Sequence, residues 1–300
     1  MSFSKSTLTG HLAAAGAYVI FGLNILFTKD LTSTIGLSPI AIFTVRAIGA
    51  MALFWLLSLF IPKEKVERRD LPRIAAASLV GFFTVQLLFL LAVSRTTAVD
   101  IAVIGTLTPV FTMFFAAFFL KEPITLKKAG GVAVSLAGVI FLILSSTFAP
   151  GGVEHSTALG FILIFGNVAS FAAYLGIFKP LAAKYHPVTY MKWIFLFAFI
   201  YGIPFSAGEL VRFDFGAMSG REVFELWYLV FMATFIAYFL LPVAQKRIRP
   251  TLISMYTYLQ PILTAVIGIA SGTDILSWKK VLAVLFIFIG VTLVNASRKA

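Results

Sequence analysis

The sequence predicts an all-α membrane protein of ten transmembrane helices, arranged as two inverted five-helix repeats with both termini in the cytoplasm. Composition gives the first reason: 60% of the 300 residues are hydrophobic and 12% are charged, whereas soluble domains carry about 25% charged residues. A soluble domain of this length has too little interior to bury so much apolar surface. The apolar residues also form continuous runs of about 20 residues, the length of a spanning helix.

Ten such segments follow one another along the chain, separated by short links that hold proline or glycine. In the first half the segments cover 9–28, 38–61, 72–93, 97–120 and 127–147, and the links hold Pro62, Pro123 and Pro150. In the second half, a segment at 157–178 is followed by one that begins at Pro187. The remaining three cover 222–244, 250–271 and 278–297. Proline interrupts a helix because it has no N–H to donate.

The distribution of lysine and arginine predicts the orientation. If the N-terminus is inside, the inner links and the two termini carry 16 of the 24 Lys and Arg residues, and the outer links carry 6. Loops on the cytoplasmic side of a membrane retain an excess of these residues. The bias therefore favours a cytoplasmic position for both termini, which requires an even number of helices.

The two halves of the sequence repeat each other. A shift of 152 places residues 69–141 on 221–293 without a gap, and a shift of 150 aligns the regions upstream. The shifts superpose charges, prolines and glycines, among them Arg69 on Arg221, Pro109 on Pro261, Gly138 on Gly290, Phe21 on Phe171 and Lys29 on Lys179. Each half, 1–148 and 149–300, holds five segments, so the second half enters the membrane from the opposite side. Inverted repeats of this kind are a common plan of secondary transporters.

Several short motifs resemble those of EamA-type members of the drug/metabolite transporter superfamily. They are Leu107-Thr108-Pro109 with Glu122, Gly131 and Gly138; their second copy Leu259-Gln260-Pro261 with Asp274, Ala283 and Gly290; Phe21-Gly22 with Lys29; and Pro39 with Arg46. The family more often has Trp in place of Phe21, and Ala283 is a second departure. The resemblance implies ten helices in two inverted halves and transport, often export, of small metabolites. Within the superfamily the chain resembles bacterial amino-acid exporters of the YddG type.

The sequence does not predict an enzyme, a cofactor or a metal centre. It has no cysteine, and its three histidines (His11, His155 and His186) lie at segment ends. Asp100 is interpreted as the only carboxylate inside a segment. Proton-coupled carriers usually hold Asp, Glu or His at depth, so we expect a facilitator. Asp100, a histidine or the substrate itself remains an alternative proton carrier.

Polar and aromatic side chains at depth predict the substrate site, because in lipid they must face protein or a watery cavity. The candidate substrate-binding residues are Tyr18, Phe21, Asn24, Phe82, Gln86, Asn167, Phe171, Tyr174, Tyr238, Ser254 and Tyr258. Hydrogen bonding between helices is the alternative role for each of them. Pro109 and Pro261 are candidate hinges, since proline lets a helix bend.

Arg46 admits two interpretations. Its guanidinium could bind a substrate carboxylate with two parallel hydrogen bonds. Alternatively, it could lie near the outer interface, where it would snorkel or tie helix ends together.

The sequence therefore predicts an inner-membrane secondary transporter that exports amino acids, neutral or aromatic ones, by alternating access. Its expected partners are the small solute and membrane lipid, without nucleic acid, and we expect a monomer. Export of drugs or organic cations is the first alternative. Transport of sugar phosphates or nucleotide conjugates is less favoured, because it requires a cluster of cations at depth. A structural or regulatory membrane protein, or a lipid-handling enzyme, is a further alternative.

Overall fold

The chain folds into a bundle of helices, seen here in a computed structural model that describes residues 5–96, 101, 104–146, 157–270 and 278–297. Within these ranges there is no strand. Asp100, His155 and Asp274, to which the sequence analysis gave roles, lie outside the described residues.

Ten helices occupy the positions of the ten predicted segments within the described ranges. They are α1 Lys5–Thr34, α2 Pro39–Phe60, α3 Leu71–Val93, α4 Thr108–Leu120, α5 Leu126–Ser146, α6 Ala158–Ile177, α7 Pro187–Arg212, α8 Gly220–Gln245, α9 at 250–270 and α10 Trp278–Ala296. A short helix, Lys179–Lys184, connects α6 to α7. The prediction of an all-α membrane fold is confirmed.

Six of the helices, α1, α2, α3, α6, α7 and α8, are long and apolar enough to cross a membrane. Thr108–Leu120 and the Val281–Val294 part of α10 are shorter apolar helices. Large apolar side chains such as Phe118, Ile162 and Phe205 are exposed. These side chains need an apolar solvent, and lipid provides one.

Local sequence signals start several of the helices where the structure places them. Ser38 and Thr157 cap α2 and α6 by accepting hydrogen bonds from Ala41 N and Gly160 N. Ser219 and Glu222 cap α8 reciprocally, because the side chain of each residue accepts a hydrogen bond from the backbone N–H of the other. Such caps satisfy N–H groups that have no partner in the first turn.

Helices α5 and α10 pack closely through small residues. A Cβ atom added to Gly131 would lie 2.7 Å from Gly290 O, and one added to Gly138 would lie 2.9 Å from Ala283 O. Between these contacts, Ser135 Oγ donates to Ile287 O over 3.0 Å. Gly138 and Gly290 are 152 residues apart in sequence, as are Ser135 and Ile287. The α5–α10 contact thus repeats itself under the same shift that aligns the two halves of the sequence.

Helices α3 and α8 are both irregular at equivalent positions. Each contains a wide, π-type stretch, at Leu79–Thr84 in α3 and at Tyr228–Ile236 in α8. Stretches of this type are rare and occur often at functional sites. Gln86 and Tyr238 follow them by two residues each.

Helices α4 and α9 are also interrupted at equivalent positions. The chain makes a turn at Thr106 and Leu107 before Pro109, and a 3₁₀ turn at Tyr256–Tyr258 before Pro261. Proline leaves the carbonyl four residues earlier without its helical donor. In α4 that carbonyl, Gly105 O, accepts instead from Thr108 Oγ1 over 2.7 Å.

Candidate functional site

A cavity of about 110 Å³ lies between two groups of three helices. One group is α1, α8 and α9, and the other is α3, α4 and α6. A buried water needs roughly 10–15 Å³ of such space, so the cavity has room for several waters or a small solute. It is lined by Tyr18, Phe21, Asn24, Ile25, Val85, Gln86, Phe89, Ile101, Gly105, Thr108, Ile164, Asn167, Val168, Phe171, Tyr238, Thr257 and Gln260.

Seven of the eleven candidate binding residues meet in this cavity: Tyr18, Phe21, Asn24, Gln86, Asn167, Phe171 and Tyr238. Several of the lining residues are equivalents in the two repeats. Gln86 corresponds to Tyr238, Gly105 to Thr257, and Thr108 to Gln260. Both repeats therefore contribute the same helix positions to the wall.

Phe82 and Tyr174 lie in a layer behind the wall. The ring of Phe82 is 4.6 Å from that of Tyr238 and 5.2 Å from that of Tyr174, between centroids. Tyr174 is fully buried with its ring against Gly81, where a Cβ atom would overlap it. Its hydroxyl lies 3.5 Å from Gln245 Oε1. These two aromatic side chains support the cavity wall, and neither lines it.

Ser254 and Tyr258 of α9 also do not line the cavity. Ser254 Oγ donates to Thr251 O over 2.9 Å within its own helix. Tyr258 borders a separate crevice between α1, α9 and α10, together with His11 and Tyr256. An ideal α-helix would place Thr257 and Tyr258 on one face with Ser254, but a 3₁₀ turn advances the chain by three residues per turn. Thr257 and Gln260 reach the cavity instead, and sequence periodicity missed Gln260.

Hydrogen bonds join the helices around the cavity. Gln86 Nε2 donates to Tyr238 Oη over 2.9 Å, which links the two helix groups directly. On the other side, Asn167 Nδ2 donates to Val85 O over 2.6 Å, and Ser170 Oγ donates to Val80 O over 2.8 Å. Asn167 and Gln86 therefore bond helix to helix as well as lining the cavity.

Two hydroxyls in the wall have unused hydrogen-bonding capacity. Tyr18 Oη and Thr257 Oγ1 are buried in the cavity lining and interact with each other, and neither has a further hydrogen-bond partner among the described residues. A buried polar group without a partner costs about 1–3 kcal/mol. A bound solute or water would relieve that cost, so these hydroxyls are available to a ligand.

None of the lining residues that the structure describes carries a charge. One charged residue, Arg46 of α2, lies behind the wall, where its Nε donates to Thr234 Oγ1 over 2.9 Å. Arg46 as a whole is 1% exposed. The interpretation of Arg46 as a snorkelling side chain is wrong, because a snorkelling guanidinium reaches water.

The expectation that Asp100 is the only carboxylate inside a segment is also wrong. Glu225 lies in α8 and is buried. Arg221 Nε donates to Glu225 Oε1 over 3.1 Å, and Arg221 also forms an ion pair with Asp30 at the end of α1. Glu225 falls within the predicted segment 222–244, so its position in the sequence could have identified it.

A second ion-pair cluster joins the start of α3 to the connector after α6. Lys184 Nζ and Tyr185 Oη each donate to Asp70 Oδ2 over 2.6 Å. The hydrogen bond from Lys184, followed by that from Tyr185, lowers the pKa of Asp70 below its usual value. Asp70 and Arg73 are the repeat equivalents of Glu222 and Glu225. Ion pairs therefore fasten the same helix end in both repeats.

Glu122, a residue of the family-like motif, and Lys179, the repeat equivalent of Lys29, lie together. Glu122 Oε2 accepts from Lys128 Nζ over 3.0 Å, and Glu122 Oε1 is 4.0 Å from Lys179 Nζ. Burial lowers the pKa of Lys179. This group is separate from the cavity lining.

Comparison with known proteins identifies a family. The model of the EamA-like transporter family matches the chain twice, at residues 8–144 and 158–296. Each match spans one of the two repeats found in the sequence. Together the matches cover almost the whole chain.

Similar proteins are described only as transporters. An uncharacterized transporter of Bacillus subtilis, YcxC, is 27% identical over 294 residues, which is 94% of this chain and 91% of YcxC. Another from the same organism, YetK, is 21% identical over 272 residues, or 88% of this chain and 80% of YetK. The uncharacterized inner membrane transporter YicL of Salmonella typhimurium is 25% identical over 205 residues, or 68% of this chain and 66% of YicL.

A solved crystal structure has the same fold. It superposes with a TM-score of 0.75 at 16% sequence identity and covers 98% of this chain and 100% of that chain. At this identity the likeness extends to the fold alone.

Proposed function

The chain belongs to the EamA-like transporter family of multi-pass membrane transporters, and from this premise we propose that it exports neutral or aromatic amino acids across the bacterial inner membrane. Both termini would lie in the cytoplasm, and one chain would form the complete path. Membrane lipid and the solute are its proposed partners.

The character of the cavity wall is the observation that carries this proposal. The lining combines the aromatic rings of Phe21, Phe171 and Tyr238 with the amides of Gln86 and Asn167, and carries no charged residue. Aromatic faces suit an apolar side chain or an ammonium group. Amides and the hydroxyls of Tyr18 and Thr257 suit the polar ends of a zwitterion.

Alternating access between two inverted repeats is the proposed mechanism. The cavity lies between two helix groups, and the equivalent residues Gln86 and Tyr238 meet in its wall. This arrangement supports two nearly equivalent states, one open to each side. In the proposed orientation, the Asp70–Lys184 pair would lie at the cytoplasmic end and the Asp30–Arg221 pair at the outer end. Pro109 and Pro261 would act as hinges at the interrupted turns of α4 and α9.

Facilitated transport is favoured over proton coupling at the solute site. Among the described residues, no Asp, Glu or His lines the cavity. The described wall therefore has no side chain that would ordinarily carry a proton. Export of organic cations is the second candidate, because aromatic rings bind cations as well. Sugar phosphates are disfavoured, since the described lining has no cluster of cations to hold a phosphate.

Solute flux through the purified protein tests the proposal. The full chain is reconstituted in proteoliposomes with labelled phenylalanine, threonine as a second solute and a sugar phosphate as control, with and without a pH gradient. We expect saturable amino-acid flux that does not follow the gradient. Flux of an organic cation or a sugar phosphate alone would overturn the proposed substrate. Accumulation driven by the gradient would overturn the facilitator.

A further inference from the structure

Arg46 is a buried cation without a counter-ion among the described residues. Its Nη1 and Nη2 atoms are buried and make no hydrogen bond. No ion pair found in the described part of the chain includes it. Buried charges in proteins are paired or bind a ligand, because an isolated charge is strongly disfavoured in an apolar interior. The two Nη groups therefore lack the anion that their surroundings require.

The guanidinium lies close to the cavity. Arg46 Nε is bonded to Thr234 Oγ1, and Thr234 precedes Tyr238 on α8 by four residues. Residues four apart on a helix are neighbours on its surface. Tyr238 lines the cavity, so Arg46 lies about one helical turn from the cavity wall.

The charge of Arg46 affects what the cavity can hold. The part of the lining that the structure describes contains no Asp or Glu to offset a positive charge, and no other cation. Charges interact more strongly in a protein interior than in water, because the effective dielectric constant is lower. A solute with an anionic group is therefore favoured at this site, and a solute that carries only a positive charge is disfavoured.

We propose that Arg46 selects the solute by its charge, with Nη1 and Nη2 as the donors for the carboxylate of the transported solute. The proposal rests on the proposed transport function and names the chemical group that the site recognises. Two neighbouring Nη groups match a carboxylate with parallel hydrogen bonds. It also separates the two candidate substrates, because an amino acid carries a carboxylate and an organic-cation drug does not.

A purely structural role for Arg46 makes a different prediction. Thr234 Oγ1 accepts from Arg46 Nε and donates to Leu229 O in the wide stretch of α8. If Arg46 only fixes this stretch, removing the Thr234 hydroxyl should have the same effect as removing the guanidinium. Thr234→Val keeps the charge and breaks the bond, whereas Arg46→Gln removes the charge.

Ligand-dependent thermal unfolding of the purified full chain in nanodiscs tests the proposal. The probes are sodium acetate against acetamide in sodium chloride at equal ionic strength, and phenylalanine against phenylalaninol, which lacks the carboxylate. We expect acetate and phenylalanine to raise the Tm of the wild type saturably, and acetamide and phenylalaninol to leave it unchanged. A ligand that binds only the folded state raises its stability in this way.

Variants then assign the effect to Arg46. Arg46→Gln should weaken acetate binding by about tenfold or more, the range for hydrogen bonds to charged groups, and Thr234→Val should retain it. Arg46→Lys keeps the charge but not the planar guanidinium, so its acetate affinity should lie between those of Arg46→Gln and Thr234→Val. This variant replaces Arg46→Gln in the test if Arg46→Gln does not fold. Lys192→Gln is the matched control, since Lys192 is a helix cation in α7 that lies over the Trp55 ring at 4.8 Å and is not part of the cavity lining.

Three results would overturn the assignment. The first is an equal Tm of the wild type in acetate and in acetamide with sodium chloride. The second is an acetate-induced rise in Tm that is as large in Arg46→Gln as in the wild type. The third is a loss of that rise in Thr234→Val as large as the loss in Arg46→Gln. Flux distinguishes this failure from failure of the proposed function. Amino-acid flux without a carboxylate shift contradicts the role of Arg46 alone. A rise in Tm with acetate but no amino-acid flux supports the role of Arg46 as a carboxylate donor. The transported solute would then be a carboxylate other than an amino acid.

Discussion

Gln86 Nε2 donates to Tyr238 Oη over 2.9 Å, and these two residues are 152 positions apart, the offset of the internal repeat. Each residue is thus hydrogen-bonded to its repeat equivalent in the other half of the chain. Both follow a wide helical stretch by two residues and both line the cavity. This hydrogen bond marks one place where the two repeats meet, and that place is the cavity. The Ser135–Ile287 hydrogen bond marks another, between α5 and α10.

Removing this hydrogen bond should lower both the stability of the fold and the solute flux. Tyr238→Phe keeps the ring but leaves the buried Gln86 amide without its partner, which costs about 1–3 kcal/mol. We expect a lower Tm and a change in solute flux. Tyr201→Phe is the control. Tyr201 Oη donates a 3.1 Å hydrogen bond to Ala75 O, and neither residue lines the cavity. Equal flux in the two variants would contradict a role for the Gln86–Tyr238 bond in the transport path.

The buried hydroxyl of Thr257 should contribute to solute affinity without stabilising the empty protein. Thr257→Val removes a buried hydroxyl that interacts only with the Tyr18 hydroxyl among the described residues, so we expect little change in Tm. Solute affinity should fall about fivefold to tenfold, the loss of one hydrogen bond of about 1 kcal/mol. Ligand-dependent thermal shifts measure both quantities.

Thr112→Val provides the matched comparison for Thr257. Thr112 is buried in α4, bonds to Thr108 O over 2.7 Å, and is not part of the cavity lining. This variant should retain solute affinity. A loss of affinity as large as that of Thr257→Val would show that the effect is not specific to the cavity.

Pro261 should govern the rate of transport. Proline removes a helical hydrogen bond and lets α9 bend beside the 3₁₀ turn at Tyr256–Tyr258. We expect Pro261→Ala to change the maximal flux several-fold and the half-saturating concentration little. Pro204→Ala in α7 is the control, since Pro204 lies inside a helix but is exposed. If half-saturation changes and maximal flux does not, Pro261 belongs to the binding site and not to a hinge.

The Asp70 cluster should make stability fall at acid pH. Hydrogen bonds from Lys184 and Tyr185 lower the pKa of Asp70 below the unfolded value of about 3.9. The ionised carboxylate therefore stabilises the fold above that value, and the stabilisation is lost as the pH falls through the folded-state pKa. We expect Asp70→Asn to lower the Tm at pH 7 and to reduce its decline below about pH 4.

Thermal unfolding from pH 7 to pH 3 checks this expectation. Asp214→Asn is the control, because Asp214 makes only an exposed local bond to Gly216 N over 2.9 Å. Its curve should follow the wild type. Parallel curves for Asp70→Asn and the wild type at all pH values would contradict the assignment.

The sequence predicts the helices and the repeat well because both depend on properties that are local or periodic. Apolar length fixes where a helix can span lipid, and one constant offset reveals the duplication. Helical periodicity also identifies Asn167 and Phe171 as neighbours on one face, and both line the cavity.

The rest depends on departures from ideal helices. The 3₁₀ turn in α9 separates Tyr258 from the cavity and brings Gln260 to it, and periodicity assumes a regular helix. The partners of Arg46 and Glu225 come from other helices. Only the packing of those helices determines whether such a charge is paired, exposed or unsatisfied.

Side-specific labelling of the cavity tests the central claim most directly. The chain has no cysteine, so Thr108→Cys places a single thiol in the lining, and Thr112→Cys places one outside it. Each protein is labelled in oriented vesicles with a membrane-impermeant maleimide added to one side or the other. We expect Thr108→Cys to react from both sides, with a ratio that changes when solute is added, and Thr112→Cys to remain unlabelled. Reaction of Thr108→Cys from one side only, with and without solute, would contradict alternating access through this cavity.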